Sequence, residues 1–95
     1  MKLTIVIPAY NEEQAIAAII ERTVAARETI VVQSPVEDVE IIVVSDGSTD
    51  RTSQIAAEYD DVRVIVFEKN RGYGAAIQRG FEESSGELVG FLDAD

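Results

Sequence analysis

Four short stretches of the chain combine residue types that could do chemistry. Asp93-Ala94-Asp95 sets two acids around one small residue, directly after the apolar run Leu88-Val89-Gly90-Phe91-Leu92. Carboxylates spaced this way can bring oxygens to one divalent ion, which can in turn bridge two phosphates. Taken alone, so short a motif is better explained as a solvated turn; its place at the end of an apolar strand is what raises the odds of function. Asp46 follows Val43-Val44-Ser45 and leads into Gly47-Ser48. Asp, Gly and Ser all favour turns, but a carboxylate there could also accept hydrogen bonds from a nucleobase N–H or a ribose hydroxyl. Asp50, nearby, reads as a helix cap. In Pro8-Ala9-Tyr10-Asn11-Glu12-Glu13 the Asn and the acids suit a helix N-terminus, where the dipole favours negative charge. That accounts for Glu13 but not for an aromatic Tyr10 at a strand-to-helix corner, where it could line a base or ribose pocket. Arg71-Gly72-Tyr73-Gly74 is the fourth stretch. Its next glycine is Gly80, so the Gly-x-Gly-x-x-Gly spacing of a dinucleotide loop fails. The glycines are expected to allow a tight loop near a ligand crevice, with Lys69 and Arg71 as phosphate contacts.

Composition narrows what these groups can do. The chain of 95 residues has no Cys, His or Trp. Disulfides, thiol nucleophiles, imidazole bases and the usual zinc sites are thereby excluded. A bound metal should be hard and oxygen-seeking, Mg²⁺ or Mn²⁺. The net charge of −10 disfavours nucleic acid as a partner, since such binding needs clustered Lys and Arg. It also means that an anionic phosphate ligand needs a cation to offset repulsion. The apolar run Ala15–Ile20 is too short to span a bilayer, and no export leader opens the chain.

The elements that must position these groups alternate strand and helix. Residues 3–8 are a short run rich in Ile and Val and read as a buried strand, and 39–44, 62–67 and 87–92 read as the second, third and fourth strands. Between the first two, a helix is expected with Asn11 as cap and Gln14 completing a capping-box-like pair. Ile16, Ile19, Ile20 and Val24 give it an apolar stripe, and Ser34-Pro35 ends it. The β-branched run Thr29–Val32 either extends this helix or forms a separate short strand. A second helix passes through Ile55, Ala56 and Tyr59. A third covers residues 75–84 and closes on Gly86 in a C-cap role. Such alternation predicts one α/β domain with a parallel, Rossmann-like sheet in the order 3-2-1-4. Ligands then bind beyond the carboxyl ends of the strands, so Pro8–Glu12, Ser45–Asp50 and Asp93–Asp95 should converge on one crevice.

In this order, Ile-Pro-Ala-Tyr-Asn-Glu-Glu (7–13), Val-Val-Ser-Asp-Gly-Ser-Thr-Asp (43–50), Asn-Arg-Gly-Tyr-Gly-Ala-Ala-Ile (70–77) and Phe-Leu-Asp-Ala-Asp (91–95) resemble the family 2 glycosyltransferases, most of all the dolichyl-phosphate mannose and glucose synthase branch. The resemblance covers the whole chain. It implies the GT-A fold, with residues 1–95 as the N-terminal nucleotide-sugar-binding part of a longer domain truncated at the Asp-x-Asp motif. The implied donor-binding residues are Pro8, Ala9, Tyr10, Glu12, Asp46, Gly74, Asp93, Ala94 and Asp95. Asp46 would meet the base; Asp93 and Asp95 would engage the metal and diphosphate, with Asp95 ahead of Asp93 as direct metal ligand. Many relatives carry two acids where this chain has Ser45-Asp46, so the first acid is missing here. The implied activity is inverting transfer from a UDP- or GDP-sugar to an acceptor such as a polyprenyl phosphate or a glycan. The acceptor site, general base and any membrane-anchoring segment lie after Asp-x-Asp in relatives, so no catalytic residue falls within residues 1–95. The full-length protein is expected in the cytoplasm or at the cytoplasmic face of a membrane.

Two other classes share the α/β pattern. A sugar-nucleotidyltransferase would carry a Gly-rich, Arg-containing loop after the first strand, where this chain has Tyr10-Asn11-Glu12-Glu13. A non-catalytic α/β binding module would use its acids only as surface. Self-association is expected as well, because an uncovered strand edge or apolar face invites partners.

Overall fold

The computed structural model describes residues 1–93. Seven elements follow one another along the chain: β1 (Lys2–Ala9), α1 (Ile16–Gln33), β2 (Asp38–Asp46), α2 (Thr52–Ala56), β3 (Val62–Phe67), α3 (Tyr73–Glu83) and β4 (Leu88–Phe91). The four strands form one sheet in the order β3-β2-β1-β4, all pairs parallel, as the alternation predicts.

Burial on both faces explains the apolar run Ile41–Val44 in the middle of β2. Ile41 and Val43 join Ile5, Ile7, Ile16, Ile20 and Ala56 in a core under α1 and α2. Ile42 and Val44 point the other way, into a smaller core with Val6, Phe67 and Ala76 under α3. Gly80 lets α3 come close: a Cβ there would lie 2.4 Å from Val6 Cγ1.

The structure differs from expectation at several element ends, and each difference has a tertiary cause. Helix α1 begins at Ile16, with Ala15 at its N-cap and no side-chain cap. Asn11 therefore does not cap it. Its φ of 51° is left-handed, a conformation that Asn tolerates, and its side chain is engaged elsewhere. The run Thr29–Val32 continues α1, and Ser34 adopts extended geometry before Pro35. Helix α2 stops at Ala56, so Tyr59 falls outside it; its hydroxyl donates to Glu21 at 2.7 Å and ties this turn to α1. Gly86 is not the C-cap of α3, since Ser84 takes that position. Glycine is needed at 86 because a Cβ would lie 2.6 Å from Thr4 Oγ1. Strand β2 runs on to Asp46, which pairs in register with Phe67, so Ser45 and Asp46 are strand residues and not yet turn.

A polar knot closes the opposite end of the sheet. Buried Thr4 donates to Glu40 Oε1 at 3.0 Å and accepts from the Gly86 amide at 3.0 Å. The Ser85 amide and hydroxyl also donate to Glu40 Oε1, at 3.0 and 3.1 Å. Partial burial opposes the charge on Glu40, but the Ser85 amide, the Thr4 and Ser85 hydroxyls and nearby Lys2 outweigh it. The carboxyl is held below its ordinary value of 4.5. A depressed folded-state pKa stabilises the fold above the unfolded value, and that contribution is lost as pH falls through the folded one. Wild type is therefore expected to lose thermal stability more steeply below pH 4.5 than Glu40→Gln, which lacks this titration. Parallel melting-temperature profiles for the two proteins from neutral pH into acid would refute that.

Candidate functional site

The carboxyl ends of β1, β2 and β4 open onto one cleft of about 530 Å³. It is lined by Pro8, Ala9, Tyr10 and Glu12 from the end of β1, Asp46 from β2 and Asp93 beyond β4. Asn70, Gly72, Tyr73 and Ala76 supply the remaining wall. The cleft thus brings together Pro8, Ala9, Tyr10, Glu12, Asp46 and Asp93, described residues from each of the three segments expected to converge. Three of the lining residues are acids and none is basic among the described residues. The field in the cleft is negative within a protein that is itself acidic.

The β1–α1 corner is shaped by hydrogen bonds to the β2–α2 turn. Asn11 donates its amide to Ser48 Oγ at 3.1 Å, and its Oδ1 accepts from the Thr49 amide at 2.8 Å. The Glu12 amide donates to Thr52 Oγ1 at 2.9 Å and the Glu13 amide to Asp50 Oδ2 at 3.3 Å. Asp50 Oδ1 accepts from the Thr52 amide at 2.9 Å. Desolvation works against the charge on Asp50, yet the Thr52 hydroxyl and amide and the Glu13 amide together hold its carboxyl below the usual range. Asp50 thus serves two loops at once and orders the start of α2. The consequence is that exposed Tyr10 sits on a braced corner at the cleft mouth. Buried Ser45 donates its hydroxyl to Ser48 Oγ at 3.0 Å and belongs to the same brace.

Asp46 is 4% exposed. Its Oδ1 accepts from the Arg71 amide at 2.7 Å and its Oδ2 from the Gly72 amide at 3.0 Å. Its backbone carbonyl accepts from Asn70 Nδ2 at 3.2 Å. Gly47 brings the following turn directly against the backbone of Lys69 and Asn70. The loop leaving β3 is therefore folded back over the end of β2.

Asp93 is exposed, two residues past β4, and the Leu92 amide donates to Val6 O at 3.0 Å to hold this stretch against β1. Ala94 and Asp95 lie outside the described residues. Gly74 lies in the first turn of α3, exposed and beside the cleft rather than among its lining residues. Lys69 and Arg71 do not line the cleft either; the Arg71 guanidinium stacks 4.6 Å from the Phe67 ring centroid. Sequence reasoning missed Asn70, Tyr73 and Ala76 as wall residues. The one available signal was the glycine-containing stretch 70–74, which placed a tight loop near the crevice without saying which side chains it presents.

Known proteins resemble this chain in sequence and in fold. The sequence model of Glycosyl transferase family 2 matches residues 4–95. Human dolichyl-phosphate beta-glucosyltransferase is 40% identical over 100 residues, which cover 99% of this chain and 31% of that protein. Undecaprenyl-phosphate 4-deoxy-4-formamido-L-arabinose transferase of Photorhabdus laumondii is 39% identical over 99 residues, 99% of this chain and 29% of that one. The chain thus spans less than a third of the length of these relatives. Among solved structures, S. aureus TarS in complex with UDP-GlcNAc superposes with a TM-score of 0.81 at 30% identity, over 100% of this chain and 27% of TarS. Glucosyl-3-phosphoglycerate synthase of Mycobacterium tuberculosis, in complex with Mn²⁺, UDP and glucosyl-3-phosphoglycerate, gives a TM-score of 0.75 at 32% identity. That match covers 99% of this chain and 33% of the synthase. The order of four motifs, the parallel sheet that carries them and a match running from Thr4 to the last residue have one common explanation: the chain belongs to glycosyl transferase family 2 and has its GT-A fold.

Proposed function

We propose that residues 1–95 form the donor-binding part of a glycosyltransferase that moves a sugar from a UDP- or GDP-sugar, with inversion, to a polyprenyl phosphate or a glycan. The observation that carries this reading is the single cleft at three strand ends, lined by Glu12, Asp46 and Asp93 and by no cation among the described residues. Pro8, Ala9, Tyr10 and Glu12 border the nucleotide, Asp46 lies toward its base, and Asp93 with Ala94 and Asp95 lies toward the diphosphate; Gly74 supports the wall at the start of α3. The dolichyl- and undecaprenyl-phosphate transferases among the relatives support a lipid-phosphate acceptor. Such an acceptor would place the full-length enzyme at the cytoplasmic face of a membrane. No helix among the described residues is long and apolar enough to cross one. Leu88 and Phe91 on β4 and Leu92 just beyond it are exposed, which supports self-association of the chain.

The donor set fits a hard divalent cation shared with the ligand. Among the described residues no three acids stand close enough to hold a metal by themselves. One or two carboxylates completed by diphosphate oxygens is the mode Mg²⁺ favours. Asp93 and Asp95 would hold it, and when bound it supplies positive charge to the leaving diphosphate. The chain's own residues orient the nucleotide between Tyr10 and the α3 wall and exclude water from the buried end at Asp46.

Calorimetry with UDP, GDP and CTP tests this reading. Binding of UDP or GDP is expected with Mn²⁺ or Mg²⁺, and should weaken about tenfold or more, the equivalent of ~1.4 kcal/mol, in excess EDTA. The double substitution Asp93→Ala with Asp95→Ala should do the same in the presence of metal. Equal affinity under all these conditions would eliminate the metal site. Preference for CTP would favour a nucleotidyltransferase, and no nucleotide binding at all would eliminate the donor site.

A further inference from the structure

We propose that Asp46 is a positioning residue: its carboxylate clasps two consecutive amides ahead of α3 and so fixes the wall of the cleft that Asn70, Gly72, Tyr73 and Ala76 form. The inference rests on the donor-site reading only for the identity of the ligand; the clasp itself is a property of the free protein.

The start of α3 needs an external acceptor. A helix N-terminus leaves several N–H groups without intrahelical partners, and a side chain at the N-cap ordinarily accepts from one of them. Here the N-cap is Gly72, which has no side chain, and no side-chain cap bond is made. Just ahead of the helix, the Arg71 and Gly72 amides both point at Asp46, one to each carboxylate oxygen, at 2.7 and 3.0 Å. The acceptor comes from 25 and 26 residues away in sequence, so tertiary structure and not local turn chemistry supplies it. It is also an anion close to the positive end of the α3 dipole, which adds to its hold. The Asn70 side chain donates to the Asp46 carbonyl, giving this one residue three hydrogen bonds to three successive loop residues.

The clasp has direct consequences for the cleft. Asp46 and Phe67 are paired at the ends of β2 and β3. Without the carboxylate, the loop leaving Phe67 loses two of its three hydrogen bonds to Asp46 and keeps only the one from Asn70 to the backbone carbonyl, and four cleft-lining residues depend on its course. A ligand N–H directed at Asp46 must share oxygens that already accept one amide each. A carboxylate offers about four lone-pair sites, so sharing is feasible only while the loop stays in place. Charge-assisted bonds from backbone amides are among the stronger hydrogen bonds of a protein, so losing both should be visible.

Two readouts on the 95-residue chain test the clasp. The first is nucleotide-free amide hydrogen exchange, resolved by NMR. In Asp46→Ala, the Arg71 and Gly72 amides are expected to exchange about tenfold faster or more, while Ile42 and Val43 amides in mid-β2 stay protected. Asp46→Asn, which keeps one acceptor oxygen, should fall between wild type and Ala and serves if the Ala protein does not fold. The second readout is UDP affinity with Mn²⁺ in Asp46→Asn and in Gly72→Ala. Gly72 has φ of +99° with nothing within 4 Å of a built Cβ, so Ala there strains the loop backbone without a clash and leaves the carboxylate untouched. Both variants should bind UDP more weakly than wild type. Unchanged exchange at residues 71 and 72 would overturn the proposal. So would weakened binding in Asp46→Asn beside unchanged binding in Gly72→Ala, which would make Asp46 a direct ligand contact only. Absence of UDP binding by wild type would defeat the donor-site reading instead, and exchange alone would then decide the clasp.

Discussion

Replacing Ile42 by Ala is expected to destabilise the protein by roughly 2–5 kcal/mol, the range for deleting a buried Ile side chain. Ile42 is fully buried, and its side chain fills the α3-side core between Val6, Val44, Phe67 and Ala76. It also stands in mid-strand, paired with Val6 on one side and Arg63 on the other, so neighbouring backbone cannot collapse into the space. In a small domain with about 5–15 kcal/mol of total stability, such a loss is a large fraction. Asp46→Asn should cost less, because one acceptor oxygen remains and the affected loop can be solvated. Urea titrations of both variants check this. Ile42→Ala should shift the midpoint strongly with little change in slope, and Asp46→Asn should shift it less while reducing nucleotide affinity. Equal midpoint shifts would mean that Asp46 belongs to the global fold as much as Ile42 does.

The sheet was legible in the sequence because its signal is local. Each strand is a mainly apolar run, β-branched in β1 to β3, and the intervening helical stretches are long enough for parallel crossovers. Strand order and the convergence of Pro8, Asp46 and Asp93 then follow from general rules of α/β folds. What could not be read locally are interactions whose partner lies far along the chain. Asn11 has the sequence context of a helix cap, but Ser48 and Thr49, 37 and 38 residues away, compete for its amide groups and win. Gly86 follows a helix like a C-cap, yet the need for glycine is contact with Thr4, which is 82 residues away. The same limit applies at the cleft. Asp46 could be picked out as a carboxylate beyond an apolar strand, but its clasp on residues 71 and 72 exists only once β3 has paired with β2. The acids of the site were visible by type; the wall built by Asn70, Tyr73 and Ala76 was visible only as a loop.

Gly47→Ala is expected to be the most damaging single-methyl change at the site. Gly47 has φ of +70°, and an L-residue with a Cβ there costs about 1–2 kcal/mol in backbone strain alone. The added Cβ would also stand 2.2 Å from the Asn70 amide nitrogen and 2.4 Å from the Lys69 carbonyl carbon. These are backbone atoms, not the free end of a flexible side chain, so relief requires moving one loop away from the other. Overpacking of this kind adds roughly 1–3 kcal/mol. The direction of relief matters for function. The β2–α2 turn is braced to the β1–α1 corner through Ser48, Thr49 and Asp50, whereas the Asn70–Gly72 loop is held chiefly by Asp46. The loop should therefore yield first, releasing the Arg71 and Gly72 amides and opening the α3 wall. The expected result is a lower melting temperature together with loss of UDP binding, both larger than for Gly74→Ala, where the Cβ meets nothing within 4 Å. Thermal melting and calorimetry on the two variants make the comparison. A Gly47→Ala protein that melts and binds like Gly74→Ala would show that the close approach of the two loops is not what shapes the cleft.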